Sequence, residues 1–358
     1  MGLLALDRNF KHDEHLWIHG VKAMAIVMVV VLHIAAPYHY RFNEMPGWAW
    51  SVVNFYEAMV RPCVPLFFMT SGFLLLRFNE PISLFFYKRL NRILVPLLFW
   101  TFSYVIWKIY YGGQRFVDFG GVAQMLLFPV SYHLWYLYAI IGCYLFVPIL
   151  RKWTVGGERT LLWSYCCLWF VAVGILPILQ KYFAIKNQID ISYATGYIGY
   201  FVLGYLLGTR EYSFRHAAIC AGLIFISTSI TGYLTYKLTF ANEGVLVADF
   251  TAVLSPSVIV ASAAWFIFIK YMVVECSKFL SGKLQSFVIS LSSASFGIYL
   301  IHVAVLDVVV DRYSNSFGVG FSGLAWVIPL LSFIIILVSY SFVLIIGRIK
   351  YLRRIVGK

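Results

Sequence analysis

Polar side chains interrupt the apolar segment at residues 17–38, and two of them have a telling spacing. Lys22 and His33 are eleven positions apart, which is three helical turns plus about 20°, so a helix places both on one face. The rise between them is roughly 16 Å. Ionisable groups inside a membrane helix are costly and mark functional sites by default, and histidine is the natural general base near neutral pH. The spacing therefore predicts a cation near one membrane surface and a base deep in the bilayer, at the two ends of one elongated site. A hydrogen-bonded packing role is the alternative for His33.

The next apolar segment carries a pair of opposite charges one helical turn apart, Glu57 and Arg61. Such a pair inside a bilayer either neutralises itself structurally or orients a ligand. In the functional alternative, Arg61 binds a carbonyl or phosphate oxygen and Glu57 orients an imidazole. Pro62 and Pro65 follow directly and are expected to loosen the helix.

Arg89 and Arg92 are three residues apart and share a helix face if this region is helical. They are either topology anchors or a phosphate clamp, since the arginine fork matches phosphate oxygens. Together with Lys22 they would suit a long phosphorylated donor whose reactive end is buried. Coenzyme A has this form, with a thioester about 20 Å from its phosphates, comparable to the helix rise between Lys22 and His33.

Aromatic and histidine residues mark the opposite surface. His133, Trp135 and Tyr136 open another apolar segment, as an aromatic belt or as the wall of an acceptor site. A late segment contains Tyr299 as a further wall residue and His302 as a second catalytic, or else structural, histidine. Tyr40, Trp48 and Trp50, in the connection 39–50, are candidates for stacking on sugar rings.

Asp307 and Asp311 are one turn apart and resemble a cation site only weakly, because two carboxylates are few for a metal ion. No group of histidines or cysteines has strong metal-site spacing. The sequence therefore predicts no metal.

The composition defines the elements that must position these residues. The chain has 358 residues, of which 61% are hydrophobic and 12% charged, against about 25% charged residues in soluble domains. This excludes a water-soluble protein. The net charge of +13 resides in short connections between apolar segments, which is the positive-inside pattern and not a nucleic-acid-binding face. We therefore expect membrane lipids, and no nucleic acid, around the protein.

Ten apolar segments predict an all-α, polytopic membrane protein of about ten transmembrane helices, with residues 1–358 forming a single transmembrane domain. Of the 28 Lys and Arg residues, 19 fall on the side of the N-terminus and 7 on the other, so both termini are expected in the cytoplasm. We expect the first segment to be a retained span and not a cleaved signal peptide. The segments are approximately 17–38, 51–76, 93–111, 133–150, 160–180, 193–209, 214–236, 251–274, 287–309 and 324–348.

At this point the sequence resembles the membrane-bound acyltransferase family 3, in the branch that O-acetylates bacterial surface polysaccharides. The ten-segment count agrees, and the similarity covers nearly the whole chain. The matching pieces are Trp17-Ile18-His19-Gly20-Val21-Lys22 with ten residues before His33, Pro65-Leu66-Phe67-Phe68-Met69-Thr70-Ser71-Gly72-Phe73-Leu74, Arg89-Leu90-Asn91-Arg92, His133-Leu134-Trp135-Tyr136-Leu137 and Gly297-Ile298-Tyr299-Leu300-Ile301-His302.

The resemblance implies a cytoplasmic acyl-CoA donor, an acceptor sugar presented at or across the bacterial inner membrane, and an essential histidine at position 33. It implies that Arg89 and Arg92 lie near the donor and that Lys22 takes a place usually held by arginine. Members of this branch often have aspartate where this chain has His19, so a salt bridge between positions 19 and 22 is not expected here.

These features together predict an O-acetyltransferase that moves an acetyl group from acetyl-CoA to a hydroxyl of a polysaccharide or its lipid-linked oligosaccharide precursor. His33 acts as the base in direct transfer, or carries the acetyl group in a covalent variant. The alternative from another class is a transporter that moves a glycolipid or acyl group across the membrane. The absence of an evident sequence repeat or paired broken helices disfavours it.

Overall fold

A computed structural model describes residues 12–78, 80–115, 121–156, 158–183, 196–317 and 323–357, except for the side chains of 12–15, 155–156 and 311–317. This part of the chain is helical and contains no β-strand, as the sequence predicts. The α-helices are α1 (His12–His39), α2 (Gly47–Val60), α3 (Cys63–Leu76), α4 (Ile82–Tyr110), α5 (Val122–Leu127), α6 (Trp135–Gly156), α7 (Arg159–Phe170), α8 (Leu176–Phe183), α9 (Ile198–Gly208), α10 (Phe214–Ala241), α11 (Pro256–Ser277), α12 (Gly282–Phe317) and α13 (Leu324–Arg348).

Nine helical spans within the described residues are long and apolar enough to cross a membrane, so the prediction of an all-α polytopic membrane protein is confirmed. Two spans are composite: α2 and α3 form one, and α7 and α8 form another through a π-helical turn at Val171–Ile175. The predicted segment 193–209 is the exception, because its described helix, α9, has 11 residues. A bilayer core takes about 20 helical residues. The orientation of the termini remains a prediction.

The first span, α1, lies at the centre of the helices and contacts α2, α3, α11, α12 and α13. Its apolar residues are buried on several sides, with Val21, Ala25 and Ile26 fully inaccessible. A helix that is hydrophobic all round is expected to be surrounded by other helices or by lipid. Lys22 and His33 therefore lie on a helix that is surrounded by five others.

The second span is broken where the two prolines predicted a loosened helix. The α2 helix ends at Val60 and α3 begins at Cys63, with Arg61 and Pro62 in the turn between them. Proline lacks an N–H group and its ring collides with the preceding turn, which explains the interruption. The break leaves Arg61 at the end of α2, close enough to His33 for the guanidinium charge to act on the imidazole.

The short helix α9 packs against α3 with the backbones almost in contact. A Cβ atom added to Gly72 would lie 2.2 Å from the carbonyl oxygen of Phe201, and one added to Gly204 would lie 2.1 Å from that of Met69. Small residues permit such an approach between membrane helices. The pair of glycines, one on each helix, therefore fixes α9 against the broken span.

The C-terminal ends of α3 and α6 are fastened together at one end of the structure. Nε of Arg151 donates to the carbonyl oxygen of Leu75 at 2.8 Å, and the hydroxyl of Thr154 donates to that of Leu76 at 2.9 Å. These carbonyls are among the last of α3 and lack helical partners of their own. This end also carries Arg89, so the basic residues expected at one surface do meet there.

Candidate active site

Two histidines from distant parts of the chain meet between α1 and α12. Nδ1 of His33 lies 2.6 Å from Nε2 of His302. The two rings are nearly coplanar, with an interplanar angle of 12° and centroids 4.9 Å apart. With so short a contact between nitrogens, the rings meet edge to edge and not face to face. The two histidines that the sequence singled out as catalytic candidates therefore form one hydrogen-bonded unit.

The second ring nitrogen of His302 determines where the protons lie. Its Nδ1 atom is 2.7 Å from the carbonyl oxygen of Tyr299 and 3.2 Å from that of Ile298. A carbonyl oxygen can only accept, so Nδ1 of His302 carries the proton and Nε2 accepts one from His33. His33 is then protonated at Nδ1. Its Nε2 atom keeps a lone pair and has no hydrogen-bond partner among the described residues.

This arrangement gives His33 the properties of a general base. The half-buried imidazole is fixed in orientation, and the tautomer is set by its partner. Such an oriented histidine takes a proton from a hydroxyl within hydrogen-bond reach. His302 itself is fully buried, so a direct contact with a substrate is open to His33 and not to His302.

Glu57 and Arg61 form an ion pair one turn from the break between α2 and α3. Glu57 is fully buried, and Arg61 is 22% exposed. Oε1 of Glu57 and Nε of Arg61 have no partner within the described part of the chain. The predicted contact between Glu57 and an imidazole is not observed, because the recorded partner of its carboxylate is Arg61. His302 orients the imidazole of His33 instead.

The residues predicted to form an acceptor wall are largely enclosed. His133, Tyr136 and Tyr299 are 1%, 9% and 5% exposed, and Trp135 is half-buried. The hydroxyl of Tyr299 donates to the backbone oxygen of His133, and the His133 ring packs against His302 at 5.3 Å. These contacts hold the turn before α6 against α12, next to His302.

The predicted donor residues gather towards the other end of α1. Lys22 is half-buried, and Arg92 on α4 is exposed and close enough for the two positive charges to interact. Arg89, one turn away, is buried and lies 3.3 Å from Oε1 of Glu80. Lys22 and Arg92 have no ion pair within the described residues, which leaves their charges available to an anion.

Glu80 forms ion pairs among these basic residues, and the sequence analysis did not single it out. Its carboxylate also lies 3.1 Å from Arg151 and 3.6 Å from Lys88. Burial raises the pKa of the Glu80 carboxyl, but the hydrogen bond from Arg151 and the charges of Arg89, Arg151 and Lys88 outweigh it, so this pKa lies below its usual value. A sequence signal existed, because Glu80 is the one acidic residue between Glu57 and Asp118.

A family model described as an acyltransferase domain, that of acyltransferase family 3, matches residues 15–345. The chain belongs to this acyltransferase family. The match includes the two histidines, the broken span and the basic residues of α4. No curated protein and no solved structure matches the chain significantly.

His19 of this acyltransferase contacts a residue of α12. Nδ1 of His19 lies 2.9 Å from the hydroxyl oxygen of Ser292, and both side chains are buried. The contact joins α1 to α12 three residues before Lys22. It therefore aligns the same two helices that carry His33 and His302.

The three aromatic residues that the sequence proposed for sugar stacking in the connection 39–50 separate into buried and exposed members. Trp50 is fully buried, and its Nε1 atom donates to the carbonyl oxygen of His39 at 2.9 Å. It packs the connection after α1 and is not available to stack on a sugar. Tyr40 and Trp48 are 71% and 54% exposed.

The weak cation site suggested by two aspartates is not formed by the described side chains. Asp307 accepts a hydrogen bond from Nε1 of Trp107 at 3.0 Å, and the side chain of Asp311 lies outside the described residues. Among the residues that can be assessed, no group of three or more His, Cys, Asp or Glu side chains has a metal-binding arrangement.

Proposed function

We propose that this acyltransferase moves an acetyl group from cytoplasmic acetyl-CoA to a hydroxyl of a surface or exported polysaccharide, or of its lipid-linked precursor, at the bacterial inner membrane. The observation that carries the proposal is the contact between His33 and His302, which leaves a base with a free lone pair inside the membrane. The basic residues at the other end of α1 supply the matching site for a phosphorylated donor.

In the proposed reaction, Nε2 of His33 removes the proton from a sugar hydroxyl. The hydroxyl oxygen attacks the thioester carbonyl carbon, a C–O bond forms, and the C–S bond breaks. The proton held by His33 passes to the departing sulfur, so the products are an O-acetyl sugar and coenzyme A. Such base catalysis contributes typically about 10²–10⁴-fold.

The donor is held along the axis between Lys22 and His33. The roughly 16 Å rise between these residues suits a ligand with phosphates at one end and a thioester at the other. Lys22 and Arg92 contribute positive charge, and Arg89 is held in place by Glu80. In this scheme Glu80 positions the guanidinium of Arg89, while Lys22 and Arg92 bind the phosphates.

Arg61 is placed to act on the acetyl group. Its charge reaches His33, and its Nε atom is buried without a partner in the described residues. A guanidinium N–H aimed at the thioester oxygen stabilises the negative charge that develops there during attack. Glu57 then keeps the guanidinium in register through the ion pair.

Mass spectrometry of the cell-surface glycan tests the proposal, in cells that carry the wild-type protein, His33→Ala, or no protein. We expect acetylated glycan with wild type, and glycan of normal amount without acetyl groups in the other two strains. His216→Ala is the control, because His216 is an exposed histidine at the start of α10. Loss of the glycan itself would favour the transporter alternative, and acetylation by His33→Ala would refute the role of His33.

An experiment with the purified protein distinguishes direct transfer from the covalent route through an acetyl-histidine. The protein is incubated with radiolabelled acetyl-CoA without acceptor and is then quenched. Label retained on wild type but absent from His33→Ala indicates an acetyl-histidine, and its absence supports direct transfer.

A further inference from the structure

An aromatic and acidic group joins the outer parts of α4 and α12, and no step of the proposed reaction uses it. Nε1 of Trp107 donates to Oδ2 of Asp307 at 3.0 Å, and the hydroxyl of Tyr111 donates to the backbone oxygen of Asp307 at 3.3 Å. The rings of Trp107 and Tyr111 stack, with centroids 4.8 Å apart and an interplanar angle of 15°. The carboxylate of Asp307 therefore lies at the edge of the stacked rings of Trp107 and Tyr111.

Asp307 retains capacity to accept hydrogen bonds from a ligand. Each carboxylate oxygen can accept, and Trp107 uses Oδ2. Oδ1 has no hydrogen-bond partner among the described residues, although the side chain is half-buried. Lys108 is close enough for its charge to act on Asp307. A hydroxyl group of a ligand would find a hydrogen-bond acceptor here.

Tyr132 connects this group to the proposed base. Its ring meets the imidazole of His33 edge-on, with centroids 5.1 Å apart and an interplanar angle of 77°. It is 55% exposed, and its hydroxyl has no recorded partner within the described residues. Tyr132 and Tyr104 both pack on the ring of His133, with centroids 5.7 and 5.0 Å away, and Tyr104 lies one turn before Trp107 on α4. Tyr132 therefore lies beside the part of α4 that carries this group.

We infer that Tyr132, Trp107, Tyr111 and Asp307 form the subsite for the acceptor sugar. Aromatic faces cover the apolar C–H surface of a sugar ring, while a few fixed polar groups hold its hydroxyls and set its orientation. The inference rests on the proposed function and gives its acceptor a location. It replaces the wall predicted at His133, Tyr136 and Tyr299, whose side chains are buried.

An aromatic belt facing lipid does not explain the same residues. Belt residues sit at the membrane surface with their polar atoms towards water. Trp107 is half-buried, and its N–H group is bonded to a carboxylate of another helix. Tyr110, adjacent to Tyr111, is 87% exposed and has no recorded hydrogen bond. It serves as the belt residue for comparison.

The test measures steady-state kinetics of the purified full chain with radiolabelled acetyl-CoA. The acceptor probe is surface polysaccharide from a strain that lacks the protein, deacylated with mild alkali. Tyr132→Phe removes a single oxygen atom, Asp307→Asn removes the carboxylate while keeping an acceptor for Trp107, and Tyr110→Phe is the matched control. We expect Asp307→Asn and Tyr132→Phe to raise the KM for polysaccharide about tenfold or more, as loss of a hydrogen bond to a charged or polar group implies. The KM for acetyl-CoA and the kinetics of Tyr110→Phe stay at the wild-type values.

Unchanged polysaccharide KM in both variants would overturn the subsite, and so would an equal rise in Tyr110→Phe or in the KM for acetyl-CoA. Tyr132→Phe decides the matter if Asp307→Asn does not fold. The proposed function fails separately, because wild-type protein would then transfer no acetyl group to this polysaccharide at all.

Discussion

Nδ1 of His33 on α1 donates a hydrogen bond to Nε2 of His302 on α12 across 2.6 Å, although the two residues are 269 positions apart in the sequence. Because His302 is committed at Nδ1 to the carbonyl oxygen of Tyr299, the pair has one consistent arrangement of protons. The reactive nitrogen of His33 is thus specified by a backbone atom of another helix.

Substitution of His302 tests whether it acts as a positioning residue. The carbonyl of a glutamine side chain can still accept from Nδ1 of His33, whereas alanine cannot. We expect His302→Ala to lower kcat about 10²-fold, within the range that base catalysis supplies, with little change in either KM. His302→Gln should recover part of this loss. Equal losses in the two variants would indicate that His302 only fills space.

Substitutions in the ion pair between Glu57 and Arg61 test its effect on stability and its effect on activity separately. Glu57→Gln leaves a largely buried guanidinium without its counter-charge, and breaking such a pair costs about 3–5 kcal/mol. The double variant Glu57→Gln/Arg61→Met removes both charges. We expect a large fall in melting temperature for the single variant, recovery in the double variant, and no transferase activity in the double variant. Activity there would exclude Arg61 from the reaction.

The ion pairs of Glu80 with Lys88, Arg89 and Arg151 make a pH-dependent contribution to the stability of the protein. The pKa of Glu80 is lowered in the folded protein, so its stabilisation is fully present above the ordinary glutamate pKa and disappears as pH falls through the folded value. The melting temperature of wild type should exceed that of Glu80→Gln at pH 7, and the difference should shrink below about pH 4. Glu275→Gln is the control, because its pair with Lys278 is exposed and contributes little. A difference that does not vary with pH would contradict the ionic origin.

Two glycine-to-alanine substitutions should differ in their effect on stability, one inside the contact between α3 and α9 and one outside it. Gly204→Ala introduces a methyl group 2.1 Å from a backbone oxygen, which the helices can accommodate only by separating. Gly142 lies inside α6 with no atom within 4 Å of the added Cβ, and alanine is favoured over glycine in a helix by about 1 kcal/mol. Thermal unfolding in detergent should show Gly204→Ala destabilised and Gly142→Ala unchanged or stabilised.

Most of the membrane architecture follows from the sequence because hydrophobic segments must be helices in lipid. Pro62 and Pro65 predicted a loosened helix, but proline alone did not specify a break, because Pro37, Pro96, Pro148 and Pro329 lie inside continuous helices of the same protein. The extent of α4 was not predictable, because it begins at Ile82 in a stretch where charged and apolar residues alternate. The apolar limit near position 93 marks where the helix becomes hydrophobic and not where it begins.

The site was predictable in its residue types but not in its pairings. Periodicity placed Lys22 and His33 on one face of α1, but nothing in the sequence indicated that His302 would approach Nδ1 of His33. That contact depends on how α12 packs against α1. The burial of Tyr136 and Tyr299 could not be predicted either. An aromatic residue near a membrane surface has the same sequence pattern whether it faces lipid, a ligand or another helix.

The hydrogen bond from His302 to the carbonyl oxygen of Tyr299 also bears on the energetics of the membrane. Chains of buried histidines are the usual parts of proton pumps, and such a chain in an energised bilayer would dissipate the proton gradient. Here the chain ends on a peptide carbonyl, which does not pass a proton onward at physiological pH. In the proposed reaction, a proton taken up at Nε2 of His33 therefore cannot pass onward through His302, and it must leave from the same nitrogen to the departing sulfur.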